Sequence, residues 1–180
     1  MPNLPPWGSA QAILGNNPLV IAVPRPAGHV VLDMAMSQFS YGALASYRER
    51  GELLPVDGGF DSQGRLTRDP AAIEESWRPL PIGYWKGSGL SLVLDMMAAL
   101  LSGGRATHQV APDPLREAGV SQVFLAFDLA AFGPASDIAD RIVASIGVRY
   151  PGERVLEIRA ENLALGLPVE PVLWREIEAM

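Results

Sequence analysis

The sequence predicts a single domain of α/β or α+β class, on three observations. At 180 residues the chain has about the length of one domain. Apolar runs of strand length interleave with longer helix-like stretches. The 18 glycines and 16 prolines are scattered between these segments as turns and do not gather into a linker. No internal repeat emerges at a period of roughly 20–50 residues.

The run Leu19-Val20-Ile21-Ala22-Val23 stops at Pro24 and predicts a buried strand. Val30-Val31-Leu32 follows the Pro26-Ala27-Gly28 turn and predicts a second strand beside it. From Phe39 to Arg50 the spacing of Tyr41, Leu44 and Ala45 predicts a helix, with Arg48 and Arg50 at its negative end and Gly51 as its cap. Residues 51–69 are expected to be loop. Asp69-Pro70 then opens a short helix with a capping carboxylate and a proline in the first turn, which Pro79 and Pro81 end.

Gly83 to Gly89 forms a glycine-rich loop ahead of a helix from Leu90 to Leu101, and Gly103-Gly104 stops that helix. The helix is apolar nearly all round except for Asp95, which predicts a central helix packed on a sheet. Val123-Phe124-Leu125-Ala126-Phe127 has the residue types of a strand. Helices are expected over Ser136–Ile146, from Gly152-Glu153 to near Gly166, and from Pro171 through Trp174.

Composition excludes several functions. Fourteen basic against twenty acidic residues give a net charge of −6, which opposes a nucleic-acid backbone or an anionic lipid surface as partner. The absence of cysteine removes disulfides, thiolate catalysis, Fe–S clusters and thiolate zinc sites. No apolar run reaches the ~18–20 residues of a membrane helix, and the start lacks the pattern of a signal peptide. A soluble, cytoplasmic protein is expected.

The residues offer few sites. Glycines and a helix N-terminus at Gly83–Gly89 suit an anion, Lys86 adds charge, and Tyr84 or Trp85 offers a flat surface. A tight turn with a solvated lysine accounts for the same residues, and neither the P-loop nor the GxGxxG pattern is present. Asp33 follows a strand, where open sheets hold ligands, or it caps a turn. The acidic loop from Asp57 fails the calcium pattern, with Ser62 at the glycine position and Arg68 at the glutamate position. His29 and His108 have the right pKa range for acid–base work, but no carboxylate partner can be placed beside either. Asp95 must find a donor or face a cavity, because a lone buried carboxylate is costly.

Several strings, taken in order, resemble one family. They are Asn16-Asn17-Pro18-Leu19, Asp33-Met34-Ala35-Met36-Ser37-Gln38-Phe39-Ser40-Tyr41-Gly42, Leu54-Pro55-Val56-Asp57-Gly58-Gly59-Phe60-Asp61 and Gly83-Tyr84-Trp85-Lys86-Gly87-Ser88-Gly89. Leu94-Asp95-Met96, Leu101-Ser102-Gly103-Gly104, Gly119-Val120-Ser121-Gln122-Val123-Phe124 and Pro151-Gly152-Glu153 follow. The series resembles the malate/L-lactate dehydrogenase family, which lacks a Rossmann fold. It resembles most a branch that reduces a keto group of a sugar acid.

The resemblance implies a mixed, largely antiparallel sheet flanked by helices, NADH or NADPH as cofactor, and a homodimer. It spans nearly all of the chain, but only about the C-terminal half of a family member. On that basis residues 1–180 are expected to form one cofactor-binding domain with C-terminal helices. The implied cofactor contacts are His29, Val30, Val31, Leu32, Asp33, Met34 and Ala35, then Trp85 and Lys86, then Gly152, Glu153 and Arg154. The family's catalytic histidine lies in a Ser-His motif that neither His29 nor His108 matches, so no catalytic residue is expected here. It is expected upstream of Met1, with this chain a truncated form. Ile146–Tyr150 is shorter than in the family, and Gly152-Glu153-Arg154 replaces a Gly-His-Glu-like triplet. A malate, lactate or ureidoglycolate dehydrogenase of the same family, or a non-catalytic nucleotide-binding protein, remain alternatives.

Overall fold

Local capping chemistry fixes the ends of the first two helices. The computed structural model describes residues 1–110, 119–132 and 137–180. Helix α1 spans Tyr41–Glu49, and the extended Ser40 accepts the Ala43 N–H through Oγ at 3.1 Å. Gly51, at φ +67°, follows its end and donates its N–H to the Arg48 carbonyl at 3.0 Å. Helix α2 spans Pro70–Ser76, with the Asp69 carboxylate accepting from Ala71 N at 2.9 Å. It ends at the left-handed Trp77, ahead of the two prolines. Pro79 and Pro81 instead bridge Gly59 and Ser37.

Two compact units emerge, one of Met1–Leu19 with Met34–Phe127, the other of Val20–Asp33 with Asp128–Met180. The first has two apolar clusters. Leu44, Leu54 and Ile73 are fully buried under Phe39, Tyr41 and Tyr47, and Leu4, Leu14 and Met36 are covered by Leu19, Met34 and Leu94. Fully burying a leucine or isoleucine contributes about 1.5–3 kcal/mol, so these six residues account for much of this unit's cohesion.

The expected loop at 51–69 contains a short antiparallel hairpin. Strand β3, Gly59–Phe60, pairs with β4, Leu66–Thr67, placing Gly59 opposite Thr67 and Phe60 opposite Leu66. Both strands are two residues long, too short to leave an alternating pattern. Asp61 organises the turn by accepting the N–H groups of Gln63 and Arg65, each at 2.9 Å.

Helix α3 runs Trp85–Ser102, five residues longer at its start than the sequence predicts. Gly87 explains the difference. Its N–H donates to the Ile82 carbonyl at 2.8 Å, and a Cβ there would lie 2.3 Å from that oxygen. Glycine therefore permits close packing inside a helix, where low propensity suggested a loop. Nor is α3 the central helix expected. Gly87 and Ser91 are its buried residues, while Leu92, Val93, Met96, Met97 and Leu100 are exposed.

Strand β1, Leu19–Val23, pairs with β2, Val30–Met34, as a two-stranded sheet. The expectation that β1 is buried fails, since Val20 and Ile21 are exposed. A strand is buried only where other elements pack over its faces, and Val20 and Ile21 are left uncovered among the described residues. The Val123–Phe127 strand is also absent: this segment is irregular, and Phe124 is 87% exposed. β-propensity needs a partner strand to act on, and this segment has none among the described residues.

Three helices complete the chain: α4, Ile138–Ile146; α5, Glu153–Leu165; and α6, Pro171–Glu178. Their predicted positions hold, although Ser136, the expected start of α4, lies outside the described residues. Helices with small sheets, antiparallel at β3–β4, make this a mixed α/β chain, as expected. No helix among the described residues is long and apolar enough to cross a membrane.

Candidate functional site

The second unit brings together two segments singled out in the sequence 120 positions apart. The Val31 N–H of β2 donates to the Pro151 carbonyl at 3.0 Å. Gly152 follows, at φ +93°, and caps α5. A Cβ on Gly152 would sit 3.0 Å from Val31 N and 3.3 Å from His29 O. Glycine is thus required twice over, by its backbone angle and by the approach of the strand. His29, Val30, Val31, Leu32 and Asp33 lie along this strand and the turn before it, with Asp33 exposed.

Glu153 is the first residue of α5, and its N–H donates to Tyr150 O at 3.2 Å. An acidic residue there complements the helix dipole. An open pocket of ≈ 300 Å³ is lined by Arg149, Tyr150, Pro151, Gly152, Arg154 and Val155. Arg149 and Arg154 give this pocket two cationic side chains of the kind that pair with a phosphate, while the Glu153 and Val155 N–H groups of α5 are already donated to Tyr150 O and Gly152 O. The two arginines are the groups here that would fit the phosphate-bearing part of a dinucleotide.

The turn between β1 and β2 is fastened from within. Arg25 Nε donates to Asp140 Oδ1 of α4 at 2.6 Å, and its guanidinium lies over the Tyr150 ring, 5.1 Å from the centroid. The hydrogen bond that Arg25 donates to Asp140 holds the Arg25 pKa above its ordinary value. The Arg25 backbone N–H donates to His29 Nδ1 at 3.3 Å. Sequence reasoning missed Arg25, Asp140, Arg149 and Tyr150. The flanking Pro24 and Pro26 mark a turn, but nothing local reveals partners 115 and 125 positions away.

The first unit holds the other expected contacts. Trp85 and Lys86 occupy the first turn of α3, both on the surface, with Lys86 Nζ 6.0 Å from the Trp85 ring centroid. Tyr84 precedes them at φ +59°, ψ −113°, an uncommon conformation for a side-chain-bearing residue. Its ring packs edge-on against Trp7 at 5.0 Å. Met34 and Ala35 are half-buried as β2 leaves the sheet.

Asp95 finds its donors, since Oδ1 accepts both the N–H and the hydroxyl of Thr107, at 2.9 and 2.8 Å. Its role is to anchor the turn carrying His108. Asn17 Nδ2 donates to the Ser91 carbonyl and hydroxyl oxygens at 2.9 and 3.2 Å, and Ser91 Oγ donates to Gly15 O at 2.8 Å. The Asn16-Asn17-Pro18 motif is thereby tied to α3. Among the described residues no group of three His, Asp or Glu could hold a metal ion.

Residues 1–178 match the family model described as malate/L-lactate dehydrogenase. The 2,3-diketo-L-gulonate reductases of Citrobacter koseri and Escherichia coli are 42% and 43% identical over 190 residues, covering 98% of this chain. The chain spans 57% of the length of those relatives. The delta1-piperideine-2-carboxylate reductase of Pseudomonas syringae superposes with a TM-score of 0.79 at 28% identity, over 99% of this chain and 57% of that one. The malate dehydrogenase of Pyrococcus horikoshii shares the fold at 23% identity, with a TM-score of 0.80 over 99% of this chain and 53% of that one. Sequence and architecture agree, and the chain belongs to the malate/L-lactate dehydrogenase family.

Proposed function

We propose that this chain is the nicotinamide-dinucleotide-binding portion of an oxidoreductase that reduces a keto group of a sugar acid, 2,3-diketo-L-gulonate, to 3-dehydro-L-gulonate. The observation that carries this is the meeting of β2 with the Pro151–Gly152 turn beside Arg149 and Arg154, in a chain 42–43% identical to reductases of that name. NADH is the cofactor proposed first, and NADPH is the alternative to test beside it. The protein acts as a homodimer on a small-molecule substrate in the cytoplasm. Residues 1–180 then serve as the cofactor platform of a longer enzyme.

Reduced nicotinamide supplies a hydride when bound. The chain's own residues bind and orient. Arg149 and Arg154 hold negative charge, the backbone from His29 to Asp33 lines the approach, and Met34 and Ala35 follow in the chain. Glu153 and Arg154 open the helix beside that approach. Within the first unit, Trp85 and Lys86 offer a stacking surface and a cation of their own. No proton donor is assigned, because neither His29 nor His108 matches the family's Ser-His motif.

The test is fluorescence titration of the purified chain with NADH and NADPH, followed by turnover with 2,3-diketo-L-gulonate, pyruvate and oxaloacetate. Saturable NADH binding with weak or absent oxidation is expected. No binding of either cofactor overturns the proposal. Full turnover by these 180 residues overturns the platform role and makes His29 and His108 candidate acids. Preference for pyruvate or oxaloacetate places the chain with the malate and lactate enzymes. The mismatch of both histidines favours a second reading, a non-catalytic nucleotide-binding protein. Stoichiometric binding with no oxidation of NADH by any keto acid, even with the remaining part of a full-length relative supplied, supports it.

A further inference from the structure

Among the described residues of the second unit, Arg25 alone is buried, with its side chain 7% exposed. Every buried apolar side chain of the described chain lies in the first unit. A charged group thus occupies the place an apolar core would take. Its guanidinium reaches Asp140 at the start of α4 and Tyr150 in the turn before α5, while its backbone N–H donates to His29 in the turn before β2.

Stability alone does not explain the choice. Exchanging a buried ion pair for apolar side chains of similar volume is often neutral or stabilising. Moreover, Arg25 Nη1 is buried with no hydrogen-bond partner. What a guanidinium provides is direction. It is planar, so it can stack on a ring and pair with a carboxylate at fixed angles, whereas apolar contact is non-directional. The geometry matters here because Tyr150 leads straight into Pro151, whose carbonyl accepts from Val31 at 3.0 Å, and then into Gly152.

We propose that Arg25 is a positioning residue for the dinucleotide site: clamped between Asp140 and Tyr150, it sets the approach of β2 to the Pro151–Gly152 turn and thereby controls cofactor affinity. This rests on the cofactor reading given above. Arg25 touches no cofactor itself. Lysine is a poor substitute, because a compact ammonium can pair with Asp140 but cannot stack on Tyr150 as a plane.

The test compares the parent chain with Arg25→Met, Arg25→Lys, Asp140→Asn and the Arg25→Met/Asp140→Asn pair. NADH affinity is read by fluorescence titration, Val31 amide exchange by NMR, and folding by circular dichroism. Arg25→Met is expected to keep its thermal transition while NADH binding weakens at least tenfold and Val31 exchange rises at least tenfold. Asp140→Asn moves both in the same direction by less, and the double variant is no worse than Arg25→Met, because Asp140 acts through Arg25. Arg25→Lys recovers part of the loss. Should Arg25→Met fail to fold, Asp140→Asn and Arg25→Lys give the same comparison. An NADH dissociation constant within twofold of the parent in the folded Arg25 variants, even with faster Val31 exchange, overturns the role and leaves the cofactor reading standing. A parent chain that binds neither NADH nor NADPH overturns both.

Discussion

Replacing Gly152 with alanine tests the close approach at the centre of the candidate site. Gly152 sits at φ +93°, ψ −14°, and holding an L-residue in the left-handed region costs roughly 1–2 kcal/mol. The new Cβ would lie 3.0 Å from Val31 N and 3.3 Å from His29 O. Strand β2 would have to withdraw by a few tenths of an ångström, stretching the 3.0 Å bond from Val31 to Pro151. Weakening one such bond costs up to about 0.5–1.5 kcal/mol. Together these amount to about 2 kcal/mol, or near 30-fold in a local opening equilibrium. Amide exchange followed by NMR reads this directly: Val31 should exchange about 30-fold faster, while Leu44, bonded to Ser40 in α1, stays unchanged. Gly152→Asn separates the two contributions, since asparagine visits the left-handed region more readily but carries the same Cβ. It should recover part of the loss. If Val31 in Gly152→Ala exchanges within threefold of the parent rate, neither the backbone angle nor the strand approach constrains the site.

Three further outcomes follow from the first unit. Ser91→Ala removes a fully buried hydroxyl that donates to Gly15 O and accepts from Asn17. It should cost about 1–3 kcal/mol, and an unchanged urea midpoint would count against the anchoring of the Asn16-Asn17-Pro18 turn. Burial, then the nearby Glu74 carboxylate, push the Tyr41 phenol up to about 12. The unfolded chain loses this proton near pH 10, so the contribution is intact below pH 10 and lost between about pH 10 and 12; an absorbance titration at high pH should lack this late step in Tyr41→Phe. The Asp61 carboxyl is held below its ordinary value, first by the Arg65 N–H, then by the Arg65 side chain and the Gln63 N–H. Its support of the β3–β4 turn is present at neutral pH and disappears as pH falls through that lowered value, and Asp61→Asn should flatten the acid titration of the Gln63 and Arg65 amide shifts.

Where structure is decided locally, the sequence shows it. Ser40 and Gly51 bracket α1, Asp69-Pro70 opens α2, Gly152 and Gly166 flank α5, and Pro171 starts α6, because capping depends on a residue's own side chain and backbone angle. Strands depend on partners, so the apolar composition of Val123–Phe127 implied pairing that is not made among the described residues. The glycines at 87 and 89 suggested a loop because helix propensity ignores the Ile82 carbonyl packed against Gly87. Of the candidate site, the Val31 and Gly152 segments were legible through family resemblance, whereas their direct contact depends on residues far apart in sequence. Arg25 was invisible for the same reason: its burial is created by Asp140 and Tyr150, and surface exposure is the ordinary expectation for arginine.

The polar centre of the second unit also has a thermal consequence. Unfolding apolar surface raises heat capacity and unfolding polar surface lowers it. The first unit, with its two aliphatic clusters, therefore has a strongly curved stability profile that weakens on cooling. The second, organised around a guanidinium and largely exposed helices, has a flatter one. Near freezing the balance between them shifts, and the segment around β2 and Gly152 keeps its order while the aliphatic clusters lose part of their advantage.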